Sequence, residues 1–472
     1  MRHVLTMTST GAIGLTAVFA VDLLNLAYIA HLGDPSLTAA IGYAGAVSGL
    51  QIAVSIGMTI GLGACVGRLI GAGQCGLARR VAASFLATMV IISTVLGLVT
   101  AVAGRMILHW MKAPPETLEQ AAGYLWLVSP FLPLVVLGMG TSALLRSVGD
   151  AKGAMNVTLI GAVVTALLDP LLIFGLHEGL TGAAVSAVLA RGVVAGVGLR
   201  RTSARGAIGR LKPRFILADS RRIRPIAVPA VLTNLATPLG SVWVTGAMSQ
   251  FGLSAVAGQA AVSRSVVVAF AFIFSLSGSV GPVMAQNLGA GQIGRVREVL
   301  IVAVKIITLS VAVMWGVLWL TQDLLVEGFH LSGAGGDLVR LFCNWTVVSW
   351  FFMGFLFIAN SAFNNLGHPV YSTLFNWGRA TLGTIPLVMY GARYGAGGVQ
   401  IGEGIGVVVF GALALRTAFG VVSRLPQAVV CPVGETVRSD IPAISPEGAM
   451  VDLDDMAAAQ DEDSRRNVAS AR

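Results

Sequence analysis

Two carboxylates stand where a carboxylate is costly. Asp169 lies in the apolar run Val163-Val164-Thr165-Ala166-Leu167-Leu168-Asp169-Pro170-Leu171-Leu172-Ile173-Phe174-Gly175, and Asp22 lies in Ala17-Val18-Phe19-Ala20-Val21-Asp22-Leu23-Leu24-Asn25-Leu26-Ala27. A charge in the hydrocarbon core costs roughly 2.5–3.5 kcal/mol on insertion scales, so an acid retained there is read first as functional. Thr165, four residues before Asp169, and Asn25, three after Asp22, share a helix face with their acids. Ser186 and Gln51 are further candidates for the same polar pocket. Pro170 lacks an N–H and clashes with the carbonyl of Ala166, so a kink is expected beside Asp169, with a backbone oxygen freed. Such an oxygen-rich set can exchange a proton or hold Na⁺, with Asp22 and Asp169 as the ligands. The plainer reading is an acid hydrogen-bonded to a neighbouring helix, with Thr165 bonded back to its own helix. Two acids at matched depth favour the functional reading.

The elements that must position these residues are membrane helices. Of 472 residues, 55% are hydrophobic and 11% charged, against about 25% charged in soluble proteins. The 58 glycines suit helices packed closely in lipid. Spans of about 20 residues are read at 5–31, 38–68, 81–104, 121–145, 154–176 and 181–199, and again at 226–249, 255–288, 299–320, 338–361, 370–391 and 398–420. The expected fold is an all-α polytopic membrane protein of twelve transmembrane helices in two bundles. Its parts are an N-terminal bundle 1–199, a basic linker 200–225, a C-terminal bundle 226–424 and an acidic tail 425–472, the last read as disordered and cytoplasmic. Arg2 and His3 before an apolar stretch imitate a signal peptide. Cleavage near Ala20 would leave too little apolar chain to span, so residues 5–31 are read as an uncleaved first helix.

The net charge of +9 gathers in alternate loops, which speaks for topology and against a nucleic-acid partner. Loops on one side carry Arg79, Arg80, Arg146, Lys152, nine linker cations, Arg295 and Arg297, and those on the other only Arg105, Lys112 and Arg393. The positive-inside rule then places both termini in the cytoplasm of a cell (inner) membrane protein. Cys65, Cys75, Cys343 and Cys431 show no pairing or metal-ligand spacing.

The halves repeat. Gly71-Ala72-Gly73-Gln74-Cys75-Gly76 matches Gly289-Ala290-Gly291-Gln292-Ile293-Gly294 at an offset of 218 residues, which also carries Leu145-Arg146-Ser147-Val148-Gly149-Asp150 onto Phe363-Asn364-Asn365-Leu366-Gly367-His368. Six helices per half make this a parallel repeat about an axis along the membrane normal, with a cavity between the bundles. Asp22 lies roughly 16 Å from the turn at Gly33, and Asp169 roughly 12 Å from that at His177, at 1.5 Å per residue. Ser241 and Leu387 stand at the matching places of the second half, which therefore lacks the acid pair. Lys305, Arg340, Arg68 and Arg264 are read as snorkelling to the interface. Arg379 is read as a structural pairing, and Glu403 is open between a structural and a functional role.

These residues resemble the multidrug and toxic compound extrusion (MATE) family. The resemblance rests on Val21-Asp22-Leu23-Leu24, His31 to Ala39, Gly71-Ala72-Gly73, Leu145 to Asp150, Leu168-Asp169-Pro170-Leu171 and Gly182-Ala183-Ala184. In the second half Pro229, Gln286 to Gly291, Asn365-Leu366-Gly367 and Arg379 carry it. Its DinF-like branch is known for a cation site in the N-terminal half, which implies Asp22, Asp169, Thr165 and Ser186 here. Thr165 departs from the usual Asn and removes an amide oxygen. The NorM-like branch uses acids in helices seven and ten, and Pro229–Gly240 and Leu341–Ala362 contain none.

The resemblance implies a monomeric antiporter, with H⁺ or Na⁺ in place of any cofactor, exporting amphipathic or cationic organic compounds among membrane lipids. A lipid-intermediate flippase of a related two-bundle fold is the alternative; it predicts cationic cavity walls, for which only Arg264 and Arg379 qualify. No His-Glu-x-x-His or Gly-x-Ser-x-Gly appears in the spans, so an enzyme is not expected.

Overall fold

A computed structural model of the chain describes residues 2–31, 35–111, 113–176 and 178–425. The expected turn residues Gly33 and His177, as well as Lys112 and nearly all of the tail, lie outside the described residues. The first half consists of α1 (Arg2–His31), α2 (Pro35–Gly71), α3 (Cys75–Trp110), α4 (Pro115–Val128), α5 (Leu132–Ser147), α6 (Ala151–Pro170) and α7 (Gly179–Ala204). Pro130 and Pro133 break the fourth pass, so α4 and α5 meet at a 3₁₀ turn, Ser129–Phe131. After Pro170 the chain widens into a π turn, Leu171–Gly175, so the kink expected beside Asp169 takes that form.

The second half repeats the order with α8 (Ile216–Met248), α9 (Leu253–Ala269), α10 (Ala271–Gly289), α11 (Ile293–Gly328), α12 (Ala334–Asn344), α13 (Ser349–Leu366), α14 (Pro369–Gly378), α15 (Ile385–Gly391) and α16 (Ala396–Ser423). α9 and α10 form one pass bent by 50° at Phe270. α14 and α15 form another, joined by a π turn at Arg379–Gly383. Among the described residues, ten helices are long and apolar enough to cross a membrane, and the bent pair adds an eleventh. Pro369–Gly391, less apolar because it carries Asn376 and Arg379, completes twelve passes in two bundles. Side chains such as Val102 and Leu320, each 76% exposed, form the apolar outer belt.

The repeated glycines have a local cause. Gly73 and Gly291 have φ of 74° and 70°, and Gly149 and Gly367 have φ of 85° and 97°. A side chain would strain each of these tight turns. The linker is shorter than the sequence suggests. α7 runs on to Ala204 and α8 starts at Ile216, so only 205–212 lies outside helical structure, apart from the 3₁₀ turn Pro213–Phe215. It is tied to the first half by the Arg80–Asp219 ion pair at 3.1 Å and by Gly209 N–H donating to the Arg79 carbonyl at 3.0 Å.

The bundles meet at the basic end. Gly57 and Gly61 of α2 leave no room for a Cβ against Val231 and Ala227 of α8, and Gly71 presses on the Gln286 carbonyl of α10. Ser275 donates to the Thr8 carbonyl at 2.8 Å, Gln286 to the Ser147 carbonyl at 2.5 Å, and Arg68 to the Asn364 carbonyl at 3.4 Å. All these residues lie in the parts of their helices nearer the basic loops, so this end is closed.

Candidate functional site

Three helices of the first half converge on Asp169. Gly182 of α7 lies against the Leu172 carbonyl in the π turn, where a Cβ would stand 2.6 Å from the oxygen. That close approach brings Ser186, one turn further along α7, to Asp169, one turn before Leu172. Ser186 Oγ donates to Asp169 Oδ1 at 2.5 Å, and Asn25 Nδ2 of α1 donates to Asp169 Oδ2 at 2.8 Å. Asp169 is 1% exposed, so its carboxylate is withdrawn from solvent and has both oxygens engaged.

Asp22 sits differently. It is exposed into a cavity of about 460 Å³ between the halves, whose walls are Phe19, Asp22 and Leu23 of α1 and Ala260, Ser263, Arg264, Val267 and Val268 of α9. Its charge interacts with those of Asp169 and Arg191. One acid is thus enclosed, and the other faces the cavity between the halves.

The other expected residues divide. Thr165 Oγ1 donates to the Gly161 carbonyl of its own helix at 3.0 Å, and no hydrogen bond joins it to Asp169 among the described residues. Gln51 is buried on α2 with Nε2 unpartnered, and among the described residues no hydrogen bond links it to the acids. Arg68 spans the seam between halves through Asn364 rather than reaching outward to an interface. Arg264, also read as snorkelling, instead lines the cavity, because rotation of α9 turns it toward α1. No group of three or more His, Cys, Asp or Glu side chains suited to a metal ion occurs among the described residues. A Na⁺ at Asp169 would therefore need amide and hydroxyl oxygens, and Asn25 and Ser186 present one of each.

Arg191 was missed in the sequence. It lies twelve residues into α7, and its Nη1 donates to the Val128 carbonyl at 3.5 Å. Its charge interacts with that of Asp22. The signal was present: one cation in Ala187-Val188-Leu189-Ala190-Arg191-Gly192-Val193-Val194, the pattern that singled out Asp169.

The second half holds a different polar cluster. Arg379, 5% exposed at the start of its π turn, donates through Nη2 to Thr237 Oγ1 at 3.2 Å. Glu403 of α16 accepts from Gln259 Nε2 at 3.3 Å, and its charge interacts with Arg379. Glu403 and Ser186 each lie seven residues after the first residue of their helix, within one residue of the 218-residue offset of the repeat.

The MatE family model matches residues 12–171 and 229–389, one stretch in each half. Over 407 residues the chain is 27% identical to a Shewanella oneidensis protein described as an FAD transporter, covering 83% of this chain and 88% of that one. It is 24% identical to the multidrug export protein MepA of Staphylococcus saprophyticus, over 71% of this chain and 75% of that one. A mutant of the Vibrio cholerae MATE transporter VcmN has the same fold, with a TM-score of 0.85 at 22% identity, covering 90% of this chain and 98% of the other. With both halves of the repeat matched, the chain belongs to the MATE family of multi-pass membrane transporters and is not an enzyme.

Proposed function

We propose that this protein is a secondary exporter that couples inward movement of H⁺ or Na⁺ to efflux of small amphipathic organic compounds. One observation carries the reading: Asp169 is buried and held by Asn25 and Ser186 from two other helices, while Asp22 opens into the cavity between bundles. The charges of Asp22 and Asp169 act on each other. Loading them from one side of the membrane would alter the packing of α1 against α6 and α7, and so bias the bundles between two openings. Each 100 mV adds about 2.3 kcal/mol per charge moved, a substantial driving force for uphill export. Organic cargo accords with relatives described as a multidrug exporter and an FAD transporter. With the basic end in the cytoplasm, as the positive-inside rule suggests, the arrangement described above is closed inward.

The flippase alternative requires several cations to hold a pyrophosphate. Among the residues lining the cavity there is one, Arg264, while Arg379 is buried against Thr237. The test is dye transport in proteoliposomes with proton and sodium gradients imposed separately. The reading expects one gradient to drive transport and Asp22→Asn or Asp169→Asn to abolish the coupling. Unchanged transport in both variants contradicts it.

A further inference from the structure

The cavity between the bundles is bipolar. Asp22 projects from α1, nine residues before that helix ends at His31, and Arg264 from α9, eleven residues after it begins at Leu253. At 1.5 Å per residue these are roughly 14 and 16 Å from the helix ends opposite the basic loops, so the opposite charges face the cavity at similar depth. They do not neutralise each other: among the described residues no ion pair within 4 Å joins Arg264 to any carboxylate, and no hydrogen bond holds its guanidinium. Arg264 is exposed into the cavity with its guanidinium free, and its planar fork suits a carboxylate, phosphate or sulfonate.

Apart from Ser263, the rest of the wall is apolar. Phe19, Leu23, Val267 and Val268 line the cavity. Phe19 meets Phe274 edge-on at 6.5 Å, and behind it Phe270 stacks on Trp350 at 4.6 Å. A cavity of about 460 Å³ lies in the range of drug-sized ligand sites.

We propose that the cargo is a soluble amphipathic zwitterion, whose anionic group binds Arg264, whose cationic group binds Asp22, and whose apolar or aromatic body lies on the wall formed by Phe19, Val267 and Val268. This rests on the exporter reading and narrows it. It also supplies the exchange step. The cationic end of the cargo at Asp22 and the coupling ion at the neighbouring Asp169 repel each other, so arrival of one favours departure of the other. Because the charges come from different bundles, a bridging ligand contacts both and reports their relative position.

The test is equilibrium binding to the purified full chain without any gradient, using a carboxyrhodamine zwitterion and its ethyl ester, which keeps the cation and loses the anion. The zwitterion is expected to bind at least tenfold more tightly. Arg264→Gln should erase that preference by weakening the zwitterion alone, Arg264→Lys should retain part of it, and Asp22→Asn should weaken both probes. Arg264→Lys also controls for misfolding, since it keeps the charge that is under test. An ester that binds as well as the zwitterion, or a preference that survives Arg264→Gln, overturns the proposal. Phosphatidylethanolamine titrated into the same samples distinguishes the source: displacement of the probe near equimolar lipid assigns the site to a headgroup and also overturns it. The two readings fail separately. An intact preference with gradient-insensitive transport removes only the coupling, whereas gradient-driven transport without the preference removes only the zwitterion.

Discussion

The two halves share a scaffold and use equivalent places for opposite purposes. Within one residue of the same place in the repeat the first half carries Ser186, which donates to a fully engaged Asp169, while the second carries Glu403, which faces Gln259 and the charge of Arg379. The first cluster has an acid with both oxygens hydrogen-bonded to neutral donors. The second sets an acid within reach of a guanidinium's charge, with no ion pair between them within 4 Å among the described residues, and leaves Gln259 Oε1, both amide atoms of Gln400 and Arg379 Nε without partners among the described residues. An acid among neutral donors can gain or lose a cation with a net change of charge, whereas an acid facing a fixed guanidinium is already compensated. The duplicated fold thus separates an acid held by neutral donors from an acid facing a guanidinium charge.

Three substitutions test that contrast. The largest effect is expected in the second half. Arg379→Leu leaves Glu403, half-buried on α16, with Gln259 as its hydrogen-bond partner and without the compensating guanidinium charge, read as a fall in thermal unfolding temperature in detergent. The double variant with Glu403→Leu should recover part of that loss; strict additivity would show that the two charges do not depend on each other. Next is Ser186→Ala, which removes a hydrogen bond to a carboxylate worth roughly 1.5–3 kcal/mol. It should reduce gradient-driven transport more than stability, and an equal loss of both would make Asp169 structural like Arg379. Smallest is Thr165→Val. Its hydroxyl bonds only to its own helix, so the stability change should stay within about 0.5 kcal/mol and transport should persist. Lost coupling would return Thr165 to the site.

Much of this site was legible in the sequence, through the cost of charge in lipid. That cost marked Asp22 and Asp169, and helical spacing brought Asn25 to the same pocket. It did not tell how each helix is rotated about its axis. In apolar helices without a strongly polar face, pattern alone cannot say that Thr165 turns back on its helix or that Arg264 faces the cavity. Bends were only partly readable. Pro170 leads into a π turn, yet Pro225, Pro229 and Pro238 lie in a continuous α8, while the 50° bend at Phe270 has neither proline nor glycine at its break. There the neighbours decide: Phe270 is buried and stacked on Trp350, so side-chain packing across helices fixes the break.

The central claim is that Asp169 carries the coupling ion. Charge displacement measured on proteoliposomes adsorbed to a sensor, after a step in pH or in sodium concentration, tests it most directly. The account predicts a transient current for one of the two steps in the unaltered protein and its loss in Asp169→Asn, with a current of ordinary size in Thr165→Val. A current of unchanged size in Asp169→Asn would contradict it.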